Sequence, residues 1–249
     1  MLFLVNFKLK TTIGLTALMW LISDICVLIM SLLMLIKNKL PNKKQILISL
    51  LFGVLIFIAY KGITISSVKV FLVMFLSSLA CFSIFNRYKN NALIFLKKDN
   101  LKSVLLSIII GLITGIVLGI VNLFLNNGTP NLRITLTCFL TALSPAIYEE
   151  IAFRTFMFAL CIYFLKGDLN TKIEKFTCYF MMIIPHVMIH TPEQFVKYGL
   201  ISGIISIFIL ALLFGLPFAF LQKKHDITSA MIAHGVVDII RFCFLGLPF

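Results

Sequence analysis

Long apolar runs alternating with short basic connections constrain this chain more than any other feature. The runs cover 13–36, 45–60, 63–85, 103–125, 134–165, 174–190, 199–221 and 227–247. About 20 apolar residues carry an α-helix across the hydrocarbon core of a bilayer. Hydrophobic residues make up 61% of the chain, whereas a water-soluble domain uses roughly half. The pattern predicts an all-α fold: a polytopic transmembrane helical bundle of about eight helices, read as a single membrane-embedded domain over 1–249. The first run is too long for the apolar part of a cleavable signal and lacks a small-residue cleavage site. It is therefore expected to be a retained transmembrane helix. The second run is short. The fifth is too long for one simple crossing at about 1.5 Å per residue. Pro145 lies inside it and is expected to break it, because proline removes a helical hydrogen bond.

The net charge of +13 would suggest nucleic acid in a soluble protein. Here the basic residues lie in connections between apolar runs, with no basic stripe interleaved with aromatics, so nucleic acid is excluded as a partner and the lipid bilayer takes its place. Fourteen lysines and arginines fall in the connections after the odd-numbered runs. Five fall on the other side: Lys8, Lys10, Lys61, Arg133 and Lys197. The positive-inside rule then puts the first set in the cytoplasm and both termini opposite. The abundance of Lys, Ile, Asn and Phe suggests a bacterial plasma membrane. None of the six cysteines forms a C-x-x-C pair, and they read as small buried hydrophobes rather than a disulfide framework.

Ionisable residues inside apolar helices are costly and tend to be paired, to face a cavity or to be functional. The candidates are Asp24, Glu149, Glu150, Arg154, His186, His190, His234, Asp238 and Arg241. In Tyr148-Glu-Glu-Ile-Ala-Phe-Arg154 the residues Glu150 and Arg154 are i and i+4, so they share a helical face and can pair. Glu149 points elsewhere and suits a general base. A purely structural Glu–Arg tie between helices would leave Glu149 without a partner. His186 and His190 are likewise i and i+4, the spacing of the histidines in the H-E-x-x-H zinc motif, although Val187 stands where that motif has glutamate. They could equally cap a helix end. His234 and Asp238 repeat the spacing, and a carboxylate can fix a histidine's tautomer; a buried pair joining the last helix to the bundle is the plainer alternative. Converged in one place, these groups could activate a water and stabilise an oxyanion.

The three clusters resemble the motifs of the CPBP family, the type II CAAX prenyl endopeptidase and bacteriocin-processing (Abi) intramembrane proteases. Its E-E-x-x-x-R motif is matched by Glu149, Glu150 and Arg154, with Phe153 in the common E-E-x-x-F-R form. Its H-x-x-x-N/D motif is matched by His234 and Asp238. The second motif, F-x-x-x-H, departs: neither His186 nor His190 has an aromatic four residues before it. Thr191-Pro192 after His190 favours that histidine, with His186 the alternative. The resemblance covers about 134–241. It implies an intramembrane endopeptidase acting on a membrane-associated peptide or protein, with a role in peptide maturation or bacteriocin self-immunity. Glu149 and His190 (or His186) would activate water, His234 and Asp238 would stabilise the oxyanion, and Glu150 with Arg154 would be a structural pair. A zinc held by Glu149, His190 and His234 and a metal-free glutamate mechanism are both compatible with it. Two other classes stay open: a non-catalytic membrane immunity or binding protein, and a proton-coupled transporter.

Overall fold

Short polar connections supply the helix starts. The structure, a computed structural model, describes residues 2–60, 62–126 and 131–247, with side chains from residue 14 onward. Lys61 of the charge count lies outside the described residues, as do the side chains of Lys8 and Lys10. Helix α1 runs over Leu2–Lys37, α2 over Lys43–Ala59, α3 over Ile65–Arg87 and α4 over Leu101–Leu125. They are followed by α5 over Leu136–Phe164, α6 over Lys172–Ile189, α7 over Pro192–Lys224 and α8 over Ile227–Leu245. Asn42, Thr64, Asn100, Thr171 and Asp226 each accept a bond from the backbone N–H three residues on, satisfying a donor that a helix start leaves open. No strand occurs among the described residues, and the all-α bundle of about eight helices is as expected.

Six of these helices are long and apolar enough to cross a membrane: α1, α3, α4, α5, α7 and α8. Helix α2 has 17 residues, and the 18-residue α6 opens on Lys172, Glu174 and Lys175. Outward faces of α1, α4 and α7 are rich in exposed Leu and Ile, the side chains a lipid environment covers. All six cysteines are free; Cys26 is exposed, Cys161 partly so, and the other four are buried.

Pro145 does not break α5. The helix continues through it in a π-helical segment, Ser144–Thr155, in which Phe156 N–H reaches back five residues to the Ile151 carbonyl. The wider turn absorbs the bond and the space that proline denies to an α-helix, and such segments concentrate at functional sites. Both glutamates and Arg154 lie in it. Helix α7 is interrupted at Gly199, whose φ of 84° is a left-handed conformation that glycine adopts without strain.

Connections after the odd-numbered helices meet at one end. There Ser83 Oγ donates to the Lys39 carbonyl (2.6 Å), Asn91 Nδ2 to the Gly167 carbonyl (2.7 Å), and Ile227 N to the Ile94 carbonyl (2.9 Å). At the opposite end Asn131 N and Arg133 N donate to the Phe244 and Cys243 carbonyls. The fourteen basic residues thus gather at one end of the bundle.

Helix α8 sits unusually close to α4. A Cβ at Gly111, Gly115 or Gly119 would lie 2.7, 2.6 and 2.6 Å from Ile232, Val236 and Ile240. A small residue every fourth position lets two backbones approach. This seats the face of α8 that carries His234 and Asp238. Gly115→Leu is expected to push α8 outward, lower the thermal unfolding midpoint in detergent and cost activity, whereas the same change at Gly14, which has nothing within 4 Å, leaves both intact.

Candidate active site

The π-helical turn of α5 presents two adjacent carboxylates to different partners. Glu150 is fully buried and bound on every side. Arg154 Nε donates to both its oxygens at 3.1 Å, Gln222 Nε2 to Oε2 at 2.7 Å, and His234 Nδ1 lies 2.8 Å from Oε1. Arg154 also donates to the Met182 and Gly215 carbonyls at 3.3 Å. One guanidinium therefore ties α5 to α6 and α7, and Phe218 stacks on the His234 ring at 4.7 Å.

Glu149 faces the histidines. Its Oε2 lies 2.6 Å from His186 Nε2, 3.4 Å from His190 Nε2 and 3.7 Å from His234 Nε2. The structure thus brings Glu149, Glu150, Arg154, His186, His190 and His234 into one cluster from α5, α6 and α8. Asp238 sits at its edge, with Oδ2 3.5 Å from His234 Nε2. The closer carboxylate on His234 is Glu150, so Glu150 rather than Asp238 orients that ring. His190 is the cap residue at the end of α6. Its side chain is 39% exposed, against 8–12% for those of His186, His234 and Glu149, so the cluster opens on its side. Trp20 of α1 meets His190 edge-on at 5.5 Å and Phe153 at 5.3 Å.

Tautomers follow from the donors. A guanidinium only donates, and Arg154 Nη2 lies 3.3 Å from His186 Nδ1. That nitrogen therefore accepts, and the neutral ring carries its proton on Nε2, where Glu149 accepts it. His234 gives its Nδ1 proton to Glu150, which leaves its Nε2 facing Glu149 and Asp238.

A zinc ion would need donor atoms that converge on one point. Among the described residues, the donor atoms within 4.8 Å of one another belong to Glu149, His186 and His190, not to the expected set of Glu149, His190 and His234. A carboxylate and two imidazoles are a common zinc set. However, a zinc-bound histidine usually donates its other N–H to an acceptor, and His186 instead faces a guanidinium. With its proton on Nε2, His186 has no lone pair there for a metal. This set does not fit zinc as it is held here.

Several residues of the cluster carry no signal in the sequence. Gln222 reads as a polar residue at a helix end and Trp20 as core. Asp24 was conspicuous but had no partner. The structure supplies two: the Tyr148 hydroxyl donates to Asp24 Oδ1, and Lys69 Nζ pairs with Oδ2, so α1, α3 and α5 are joined one residue before Glu149. Arg241 is exposed, one turn beyond Asp238 on α8.

Neither the curated proteins nor the solved structures contain a match to this chain. Residues 131–240 match the family model described as Rce1-like, type II CAAX prenyl endopeptidase, the region that contains every member of the Glu149–His234 cluster. Through these residues the chain is similar to the CPBP, or CAAX protease, family, the family that its motifs resemble.

Proposed function

We propose that this protein hydrolyses a peptide bond in a membrane-associated peptide or protein by a metal-free mechanism based on Glu149. The observation that carries the reading is the Glu149 carboxylate, held against His186, His190 and His234 in an otherwise apolar bundle. Binding alone has no use for a carboxylate so placed. Substrate approaches from the exposed His190 side, past Trp20. Glu149 takes a proton from a water that His190 orients, and the water oxygen attacks the scissile carbonyl carbon. His234, protonated on Nε2 and balanced by Glu150 and Asp238, donates to the oxyanion that forms, an electrostatic role that is often the largest in hydrolysis. The C–N bond then breaks, and the amine leaves with the proton that Glu149 returns. His186 is a positioning residue, locked between Arg154 and Glu149.

The test compares peptides released by cells that make the protein with those from cells that make Glu149→Ala at equal level. A fragment or new terminus found only with the intact protein supports the reading and identifies the substrate, including any part in peptide maturation or bacteriocin immunity. Identical peptide profiles, together with a phenotype that the variant retains, would overturn it in favour of a binding protein. The metal-free mechanism has its own measurement. Purified, active protein is expected to hold well under one zinc per chain and to keep its rate in chelator. One zinc per chain, lost together with the activity, would contradict it.

A further inference from the structure

The basic end of the bundle holds a second feature, where the helix that carries Glu149 and Arg154 ends. Helices α3 and α5 end side by side there. Their last turns and the connection that follows α5 enclose a depression of about 500 Å³ lined by Arg87, Tyr88, Tyr163, Phe164 and Lys166. The Arg87 guanidinium lies 5.2 Å from the centre of the Tyr88 ring and 5.9 Å from that of Tyr163. One of its nitrogens donates to Asn38 Oδ1 at 2.9 Å, which fixes the group without neutralising it. Among the described residues no carboxylate pairs with Arg87 or Lys166.

The backbone beside this pocket is strained. Lys166 has a φ of 53°, a left-handed conformation that suits glycine and is unfavourable for a side chain with a Cβ. Glycine follows it, pressed so close to Tyr88 that a Cβ on Gly167 would lie 2.6 Å from the ring. A cation near a helix C-terminus is favoured by the helix dipole, which accounts for a basic residue at each helix end. It does not account for two unpaired cations lining one pocket, Arg87 over two tyrosine rings, with the exposed Phe164 alongside.

We propose that this pocket binds a phosphate-bearing anion, either a phospholipid headgroup or a free phosphate. The arginine fork matches phosphate oxygens, and the lysine adds a point charge. Basic pockets between transmembrane helices on the cytoplasmic side hold anionic head groups, and the positive-inside rule makes this the cytoplasmic end. Tyrosines suit the depth at which head groups lie. The site is independent of the hydrolysis proposed above.

The full-length protein, stripped of lipid in a neutral detergent, is titrated with phosphatidylglycerol, with phosphatidylcholine and with inorganic phosphate. Bound ligand is read by native mass spectrometry and by the thermal unfolding midpoint. Phosphatidylglycerol is expected to bind and to raise the midpoint. Arg87→Gln with Lys166→Gln is expected to weaken it about fivefold per cation removed, or about 30-fold together. Lys97→Gln with Lys98→Gln removes the same charge from the same end outside the pocket and is expected to leave affinity unchanged. Inorganic phosphate binding as tightly as the lipid would identify a free anion as the ligand; binding of the lipid alone identifies the headgroup. Lys166→Gly guards against a folding failure, since it removes the cation while relieving the strained φ; it too is expected to weaken binding about fivefold. Equal loss in both glutamine pairs, equal binding of phosphatidylcholine, or undiminished binding in Lys166→Gly and the pocket pair would overturn the proposal.

Discussion

Glu149→Gln is expected to leave the bundle folded and to slow peptide hydrolysis by about 10³-fold, within the range that a positioned general base supplies. The change is nearly isosteric. The amide oxygen still accepts from His186 Nε2, which lies 2.6 Å from the carboxylate in the native site. What goes is the capacity to take a proton from water and return it to the leaving amine. The measurement is the single-turnover rate on the substrate that the peptide comparison identifies, alongside the elution volume and unfolding midpoint of the purified variant. An unchanged rate would remove Glu149 from the mechanism.

Arg154→Met is expected to act in the opposite way, on the fold first. Arg154 is almost fully buried and serves both Glu150 oxygens, two backbone carbonyls on α6 and α7, and His186 Nδ1. Methionine fills much of the space but leaves the Glu150 carboxylate charged and underpaired in an apolar interior. Removing one partner of a buried pair costs about 3–5 kcal/mol, a large part of a typical domain's stability. The variant should yield little folded protein, with an unfolding midpoint far below that of Glu149→Gln. Arg154→Lys should not restore it, because a single ammonium cannot reach acceptors spread over three helices. A midpoint like that of the native protein would show that the pair is not what ties α5 to α6 and α7.

Much of this was legible in the sequence because lipid makes it so. In an apolar helix every charge stands out, so Glu149, Glu150, Arg154, the histidines and Asp24 could be picked without any structure. The i, i+4 spacing placed Glu150 with Arg154 correctly, since that pairing depends only on helix geometry. The same spacing linked His234 to Asp238, which lie 3.5 Å apart, but missed the shorter contact to Glu150 from another helix. Spacing within a helix says nothing about which helices meet. For that reason Gln222, Lys69 and Trp20 were silent, and so was the close seating of α8 on the glycines of α4. Pro145 misled for a local reason: a proline that ordinarily ends a helix is here accommodated by a π-helical turn.

The central claim is that this chain itself cuts peptide bonds with Glu149. It is tested most directly with the purified protein alone in proteoliposomes, together with the peptide identified from cells, by following the new amino terminus over time. Cleavage is expected at the same bond as in cells, unaffected by chelator and absent with Glu149→Gln in equally folded protein. Cleavage that persists in Glu149→Gln, or none from the native protein where cells produce the fragment, would contradict it.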